Sequence, residues 1–227
     1  MPDPDLPVLR VSLDDVAVEE NTPAARRAAV NVPDWTRGLT LASFPHEALR
    51  GDVAGWVEDI CAGAEHTPPG LLLYGDAGSG KTGLSCAALL ELAERGFGKM
   101  WEWNMATITP VHDSGDTPDP TPCWFLQWSE FLQSQRRTDL NKPSWMDLRN
   151  EHVSALLLDD IDVEAGTPFR ETETLSQLEW SRYKRGRALI VTCNIGPERW
   201  EEMLGARIDR RLRDPDRFHA VHVTAAR

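Results

Sequence analysis

Short apolar runs alternate along this chain with stretches in which apolar residues recur at helical spacing. The short runs lie at residues 70–74, 123–128, 155–158, 188–192 and 218–223. Their length and their flanking glycine, proline and polar residues predict buried β-strands. The stretches at residues 47–64, 84–93 and 169–184 predict helices between them. Strands that alternate with helices predict an α/β fold, with a parallel sheet covered by helices on both faces.

Two segments depart from this pattern. Residues 1–32 are acidic and contain prolines, which predicts either a disordered arm or a segment that docks on a partner. Residues 33–227 carry the globular pattern and are predicted to form one domain. Within that domain, residues 105–122 are rich in proline, aspartate and glycine, which predicts an inserted surface loop.

Composition and charge narrow the class of protein. The chain has 227 residues and a formal net charge of −12, so any contact with DNA must be local. Its four cysteines lack the spacing of zinc sites, which predicts reduced core residues. The first residues are acidic where a signal peptide is basic, and no apolar run approaches the length of a membrane span. Together these features predict a soluble cytoplasmic protein without membrane contact.

The segment between the first predicted strand and its helix matches the phosphate-binding pattern G-x-x-x-x-G-K-[ST]. Glycines let successive backbone N–H groups turn towards a phosphate, and the helix N-terminus adds partial positive charge. The whole loop is predicted to bind a nucleoside triphosphate. Its residues are Gly75, Asp76, Ala77, Gly78, Ser79, Gly80, Lys81 and Thr82. Within it, Lys81 would reach the β- and γ-phosphates, and the Thr82 hydroxyl would ligate Mg²⁺.

Polar side chains also end two later predicted strands. Asp159 and Asp160 follow the run at residues 155–158, and Asn194 closely follows the run at residues 188–192. A strand beside the loop strand would present such carboxylates near bound phosphates. Asp159 is predicted to hold Mg²⁺ directly or through water, and Asp160 to orient the attacking water as a general base. Asn194 would hydrogen-bond the γ-phosphate or the lytic water, although asparagine is equally an ordinary turn residue.

A cluster of arginines towards the end of the chain allows two interpretations. Arg207 and Arg211 are four residues apart and would share one face of a helix. Such a face is usually solvated and paired with nearby carboxylates, here Glu201, Glu202 and Asp209. Alternatively, one arginine projects into the nucleotide site of a neighbouring subunit and neutralises charge in the transition state. That arrangement requires head-to-tail contacts, and therefore a ring or a helical filament.

In this order and spacing, the phosphate loop, the paired aspartates, the asparagine and the arginine helix resemble the AAA+ ATPases of the DnaC/IstB group, the bacterial and phage helicase loaders. The resemblance covers residues 32–223. It implies a P-loop NTPase fold of the AAA+ type, a three-layer sandwich around a five-stranded parallel sheet. No C-terminal lid domain is expected, because the chain ends soon after its last predicted strand. The resemblance also implies that ATP and Mg²⁺ bind, that Asn194 is the first sensor, and that Arg207, ahead of Arg211, is the finger.

By this resemblance, the leading hypothesis is an ATPase that assembles with a hexameric replicative helicase and helps to place it on single-stranded DNA. ATP binding would set its assembly, and hydrolysis would release it. Two alternatives stay open. An IstB-like ATPase would assist a transposase on double-stranded DNA, and the acidity of the chain counts against that role. A small-molecule kinase on a P-loop scaffold would leave Asn194 and the arginine helix unexplained.

Overall fold

A computed structural model gives the fold of this chain. It describes residues 22–45, 47–97, 123–136, 153–161 and 169–224. The predicted arm up to residue 21 and the predicted insertion at residues 105–122 therefore lie outside the described residues. Within the described ranges, every helix is too short or too polar to span a membrane.

Five parallel strands form the sheet of the described chain, and each corresponds to one predicted apolar run. They are β1 (Gly70–Tyr74), β2 (Cys123–Gln127), β3 (Ala155–Asp159), β4 (Ala188–Cys193) and β5 (Phe218–His222). Their order across the sheet is β2-β3-β4-β1-β5. The carboxyl ends of β3, β4 and β1 therefore lie side by side. The predicted α/β fold with a five-stranded parallel sheet is confirmed.

Helices connect and cover these strands. The described α-helices are α1 (Pro23–Ala29), α2 (Glu47–Ala62), α3 (Lys81–Glu94), α4 (Trp128–Arg136), α5 (Phe169–Lys184), α6 (Trp200–Leu204) and α7 (Ala206–Leu212). One boundary differs from the sequence prediction, because Trp128 begins α4 instead of ending the extended run before it. Its indole and the Phe131 ring lie 5.6 Å apart, centroid to centroid. Both are buried, so helical spacing puts the two rings on one inward face.

Alternation of side chains along the strands divides the core into two halves. On one face of the sheet, Leu71 and Leu73 pack with the apolar residues of α2 and α3. On the other face, Leu72 packs with the apolar residues of α5, α6 and α7. The leucines of β1 are fully buried, as expected for a strand in the middle of a parallel sheet covered on both sides. The result is the three-layer sandwich that the alternating pattern predicts.

The described end of the predicted arm packs on this core. Two guanidinium nitrogens of Arg26 donate to the last backbone carbonyls of α3 at 3.0 and 2.6 Å, which satisfies groups that a helix end leaves unpaired. Val30 and Val32 are buried. The side chain of Asn31 exchanges two hydrogen bonds of 2.8 Å with the backbone of Phe125, on the outer strand β2. Residues 23–32 thus extend the core and cover one sheet edge.

The cysteines are free thiols. Cys86, Cys123 and Cys193 are buried, and Cys61 is partly exposed. Burial raises the pKa of Cys86 and of Cys123 to about 12, so both thiols stay protonated in the folded chain. The three buried cysteines behave as the small core residues that the sequence predicts.

Candidate active site

The predicted phosphate loop connects β1 to α3 at the carboxyl edge of the sheet. Gly75 has a φ of 140°, and a Cβ there would collide with the carbonyl oxygen of Val223. Gly80 has a φ of 93° at the N-cap of α3, in the left-handed region that glycine tolerates best. The loop therefore ends directly at the N-terminus of a 14-residue helix, where unpaired N–H groups and partial positive charge attract anions.

Lys81 is enclosed by this loop. Its side chain is buried, with an exposed fraction of 6% for the residue. The Nζ atom donates hydrogen bonds to the backbone oxygens of Gly75 at 2.9 Å and Asp76 at 2.8 Å. A buried ammonium is costly unless oxygen atoms surround it, so the loop carbonyls stabilise the charge where it stands. The cation lies at the place where the sequence pattern requires one for phosphate binding.

A hydroxyl–carboxylate network joins the first turn of α3 to the ends of β3 and β4. Thr82 Oγ1 lies 3.0 and 3.2 Å from the two carboxylate oxygens of Asp159. Thr192 Oγ1 donates to Asp159 Oδ1 at 2.7 Å. Asp159 is buried, and these two hydroxyls are among the groups that satisfy it. The structure thus brings together the two predicted metal ligands and adds Thr192, which the sequence prediction did not include.

Asp160 and Asn194 also meet at this edge. The Nδ2 of Asn194 donates to Asp160 Oδ1 at 2.6 Å. Asp160 has a φ of 60°, uncommon outside glycine, and its backbone N–H donates to Thr192 Oγ1 at 2.8 Å. That backbone conformation lets the chain leave β3 while the carboxylate of Asp160 stays exposed beside Asn194. The predicted general base and the predicted sensor are therefore neighbours in the folded chain.

The donor set at this edge fits a nucleotide with Mg²⁺. Thr82 and Asp159 offer hydroxyl and carboxylate oxygens, the hard ligands that Mg²⁺ prefers alongside substrate phosphates. Lys81 and the helix N-terminus offer positive charge for the phosphates themselves. Asp160, exposed next to these groups, offers a carboxylate that can accept a proton from water. The arrangement suits transfer of a phosphoryl group to water.

The two candidate finger arginines lie on α7, which packs on the face of the sheet opposite to α3. The Arg207 side chain is 60% exposed and forms an ion pair of 3.3 Å with Glu173 of α5. The Arg211 side chain is 13% exposed and forms an ion pair of 2.5 Å with Glu179 of α5. Burial lowers the pKa of Arg211, and the carboxylate of Glu179 opposes that shift. Arg207 is the more available of the two.

Three apolar side chains lie beside the phosphate loop, and the sequence analysis did not predict them there. They come from residues 35–44, which carry no motif. The Cζ of Phe44 lies 3.1 Å from the place of a Cβ on Gly80. Leu39 and Trp35 similarly approach Gly83, at 3.4 and 3.9 Å. Trp35 is 64% exposed, and Trp180 at 41% is the other exposed large apolar residue in the described part of the chain. One signal existed in the sequence, since this tryptophan stands alone among the polar residues and glycine at 34–38.

Comparisons with known proteins agree with this architecture. No family model and no curated protein matches the sequence. Among solved structures, the chain is similar to DnaI, with 18% identity, a TM-score of 0.62, and coverage of 88% of this chain and 97% of that one. It is also similar to the DnaC helicase loader, with 14% identity, a TM-score of 0.58, and coverage of 85% and 100%.

A third similar structure is the replication initiator DnaA bound to AMPPCP and single-stranded DNA. The identity is 17% and the TM-score 0.56, over 82% of this chain and 50% of that one. At identities of 14–18%, these structural matches establish the fold and not the function. The chain therefore has the α/β fold of AAA+ P-loop ATPase domains, with strand order 2-3-4-1-5.

Proposed function

We propose that this chain is an ATP-dependent helicase loader, an AAA+ ATPase that assembles with a hexameric replicative helicase and helps to place it on single-stranded DNA. The observation that carries the proposal is the similarity to the DnaC helicase loader over that chain's full length and 85% of this one. The carboxyl-edge cluster supports the ATPase part, because it groups an ammonium, a hydroxyl, two carboxylates and an amide, the kinds of side chain that ATP hydrolysis uses. They belong to Lys81, Thr82, Asp159, Asp160 and Asn194.

At the site, Lys81 and the loop N–H groups would bind the β- and γ-phosphates of ATP. Thr82 and Asp159 would hold Mg²⁺, which when bound neutralises charge on the phosphate oxygens. Asp160 would accept a proton from the water that attacks the γ-phosphorus, while the bond from that phosphorus to the bridging oxygen of ADP breaks. Asn194, whose amide donates to Asp160 at 2.6 Å, would orient that carboxylate and the attacking water.

Arg207 would complete the site from a neighbouring copy of the chain. Its guanidinium is largely exposed, and its pairing with Glu173 is a surface contact that contributes at most about 1 kcal/mol. It can therefore exchange Glu173 for a phosphate at little cost. A finger supplied in this way requires head-to-tail assembly, and we propose a ring or helical filament of this chain. Arg211 is a weaker candidate because its guanidinium is paired with the buried Glu179.

Shared contacts of this kind would make the protein a switch. ATP held by loop residues of one copy and by Arg207 of the next would favour the assembled state, and hydrolysis would remove that difference in affinity. Single-stranded DNA would be bound by the assembly. DnaA, which is similar in fold, was solved with AMPPCP and single-stranded DNA bound. That structure supports the proposal that this chain binds a nucleotide and single-stranded DNA.

The test is a mixture of this protein with the hexameric helicase of its own replication system, weighed by native mass spectrometry with ATP and with ADP. We expect a stoichiometric complex whose amount depends on the nucleotide. The matched control is Lys81→Ala, which should lose the nucleotide dependence. Absence of a complex in both states, at micromolar concentration, would refute the loader function. It would favour an ATPase that assists a transposase on double-stranded DNA.

A further inference from the structure

Glu179 of α5 is a buried carboxylate that faces two arginines. Its side chain is 4% exposed. One oxygen accepts a hydrogen bond from Arg211 Nη1 at 2.5 Å, and the other accepts one from Arg217 Nη1 at 2.7 Å. A buried carboxylate is stable only when its charge is neutralised and its oxygens accept hydrogen bonds. Here two guanidinium groups meet both requirements. Loss of the carboxylate would leave two partly buried cations without their shared partner.

The two arginines come from different parts of the fold. Arg211 belongs to α7 and also donates to the backbone oxygen of Ser176, in α5, at 2.6 Å. Arg217 precedes β5, lies 4.0 Å above the ring of Tyr183, and pairs with Asp214 at 3.2 Å. Glu179, Arg211 and Arg217, which we name the Glu179 clamp, therefore join α5, α7 and the turn before β5.

Helix α7 depends on such contacts for its orientation. It has seven residues, which is too short for stability by its own backbone hydrogen bonds. Ile208 and Leu212 bury its apolar side against the core, and such apolar contacts are non-directional. The clamp adds directional hydrogen bonds at Arg211. Arg207 lies one turn earlier on the same face, where it pairs with the partly exposed Glu173 of α5.

We propose that Glu179 is a positioning residue for Arg207. By holding Arg211 and Arg217, it fixes α7 against α5 and so sets where the exposed Arg207 guanidinium stands relative to the nucleotide site of the next copy. This proposal rests on the proposed function, because it assumes that Arg207 acts in that site. A displacement of about 1 Å at a group that acts on the transition state can lower the rate by roughly 100-fold.

The test uses Glu179→Gln, which keeps the shape of the side chain and removes its charge. We expect the turnover of ATP to fall at least about tenfold with KM for ATP unchanged, because the loop, Asp159 and Asp160 of the variant are intact. Arg211→Met should have the same effect from the other side of the clamp. Glu91→Gln is the matched control. It removes the carboxylate of a 2.6 Å ion pair with Arg95 at the C-terminal end of α3, on the other face of the sheet from α7, and should leave turnover unchanged.

A mixture of variants separates positioning from loss of folding. Copies with Glu179→Gln have an intact nucleotide site, and copies with Lys81→Ala have an intact α7. Mixing the two should raise turnover above that of either variant alone, because the second kind of copy supplies a well-placed Arg207 to the first. Failure of the mixture to recover activity would overturn the proposal, and so would full activity of Glu179→Gln alone.

Arg207→Ala distinguishes this failure from failure of the proposed function. If Arg207→Ala lowers turnover and Glu179→Gln does not, the clamp has no positioning role while the trans arginine stands. If Arg207→Ala leaves turnover unchanged in the assembled protein, the trans arginine itself is refuted, and the positioning role falls with it.

Discussion

The predicted functional side chains at the carboxyl edge of the sheet and on helix α7 have opposite environments. At the edge, Lys81 and Asp159 are buried and hydrogen-bonded within the chain, to loop carbonyls and to threonine hydroxyls respectively. On α7, Arg207 points outward with a surface ion pair. A side chain with a buried, satisfied environment is set for a ligand that comes to it. A mostly exposed arginine with a surface ion pair fits the proposed binding of a phosphate held by a neighbouring copy.

This difference also separates two arginines that look alike in the sequence. Arg207 can leave Glu173 at little cost, since exposed ion pairs contribute about 0–1 kcal/mol. Arg211 cannot leave Glu179 so easily, because the carboxylate is buried and would lose a charged partner. Under the proposed function, Arg207 would act between copies, whereas Arg211 would hold α7 on α5.

The largest effect is expected from Lys81→Ala. It removes the ammonium that the loop encloses, and with it the charge that would bind the β- and γ-phosphates. We expect ATP binding by calorimetry and phosphate release both to fall below detection. Lys184→Ala removes an exposed lysine from α5 and should behave as the unchanged protein. Hydrolysis that persists in Lys81→Ala would exclude this loop as the nucleotide site.

Arg207→Ala is expected to lower turnover in the assembled protein by roughly 1,000-fold or more, the range of trans-acting arginines. ATP affinity should change little, because the loop of each copy is untouched. Arg210→Ala, on the same helix and also exposed, is the control. Measurement of turnover against protein concentration adds a second check. A finger supplied between copies predicts that specific activity rises with assembly, and a flat concentration dependence would contradict it.

Asp160→Asn is expected to keep ATP binding and to lower turnover about 100-fold or more, the usual contribution of a general base. Because the amide of Asn194 donates to the carboxylate of Asp160, the substitution also weakens their contact. Because Asp160→Asn would bind ATP without hydrolysing it at the normal rate, it should stay assembled in the presence of ATP. Native mass spectrometry can measure the fraction of assembled protein. Turnover equal to that of the unchanged protein would assign the base to another group.

The carboxyl edge could be predicted because its parts are local. The loop pattern is contiguous, and residues that end parallel strands meet once the strands are placed. Thr82 and Asp159 are 77 positions apart, yet their contact was expected on that basis. Thr192 was not, because a threonine inside an apolar run has no signal of its own. Its hydroxyl matters only through the order of strands, which puts β4 beside β3 and so brings it to Asp159.

The surroundings of α7 could not be predicted in this way. The sequence pointed to carboxylates close in the chain, Glu201, Glu202 and Asp209, as partners of the arginines. Asp209 does pair with Arg213, at 2.7 Å. Arg207 and Arg211 instead reach α5, at positions 34 and 32 residues away. Helix-to-helix contacts across one face of a sheet depend on how both helices pack, and no spacing rule within the sequence contains that information.

The smallest effect is expected from Trp35→Ala. The indole is largely exposed and lies beside Gly83, one residue after the predicted phosphate and metal ligands. We expect the base of a bound nucleotide to stack on this exposed ring, and such stacking contributes about 1–3 kcal/mol. We therefore expect KM for ATP to rise roughly tenfold, with turnover at saturating ATP unchanged.

Trp35→Phe keeps an aromatic face and should recover most of the affinity. Equal affinity of the Ala and Phe variants would show that the ring does not contact the base, and would leave the loop and its buried lysine as the main source of nucleotide affinity.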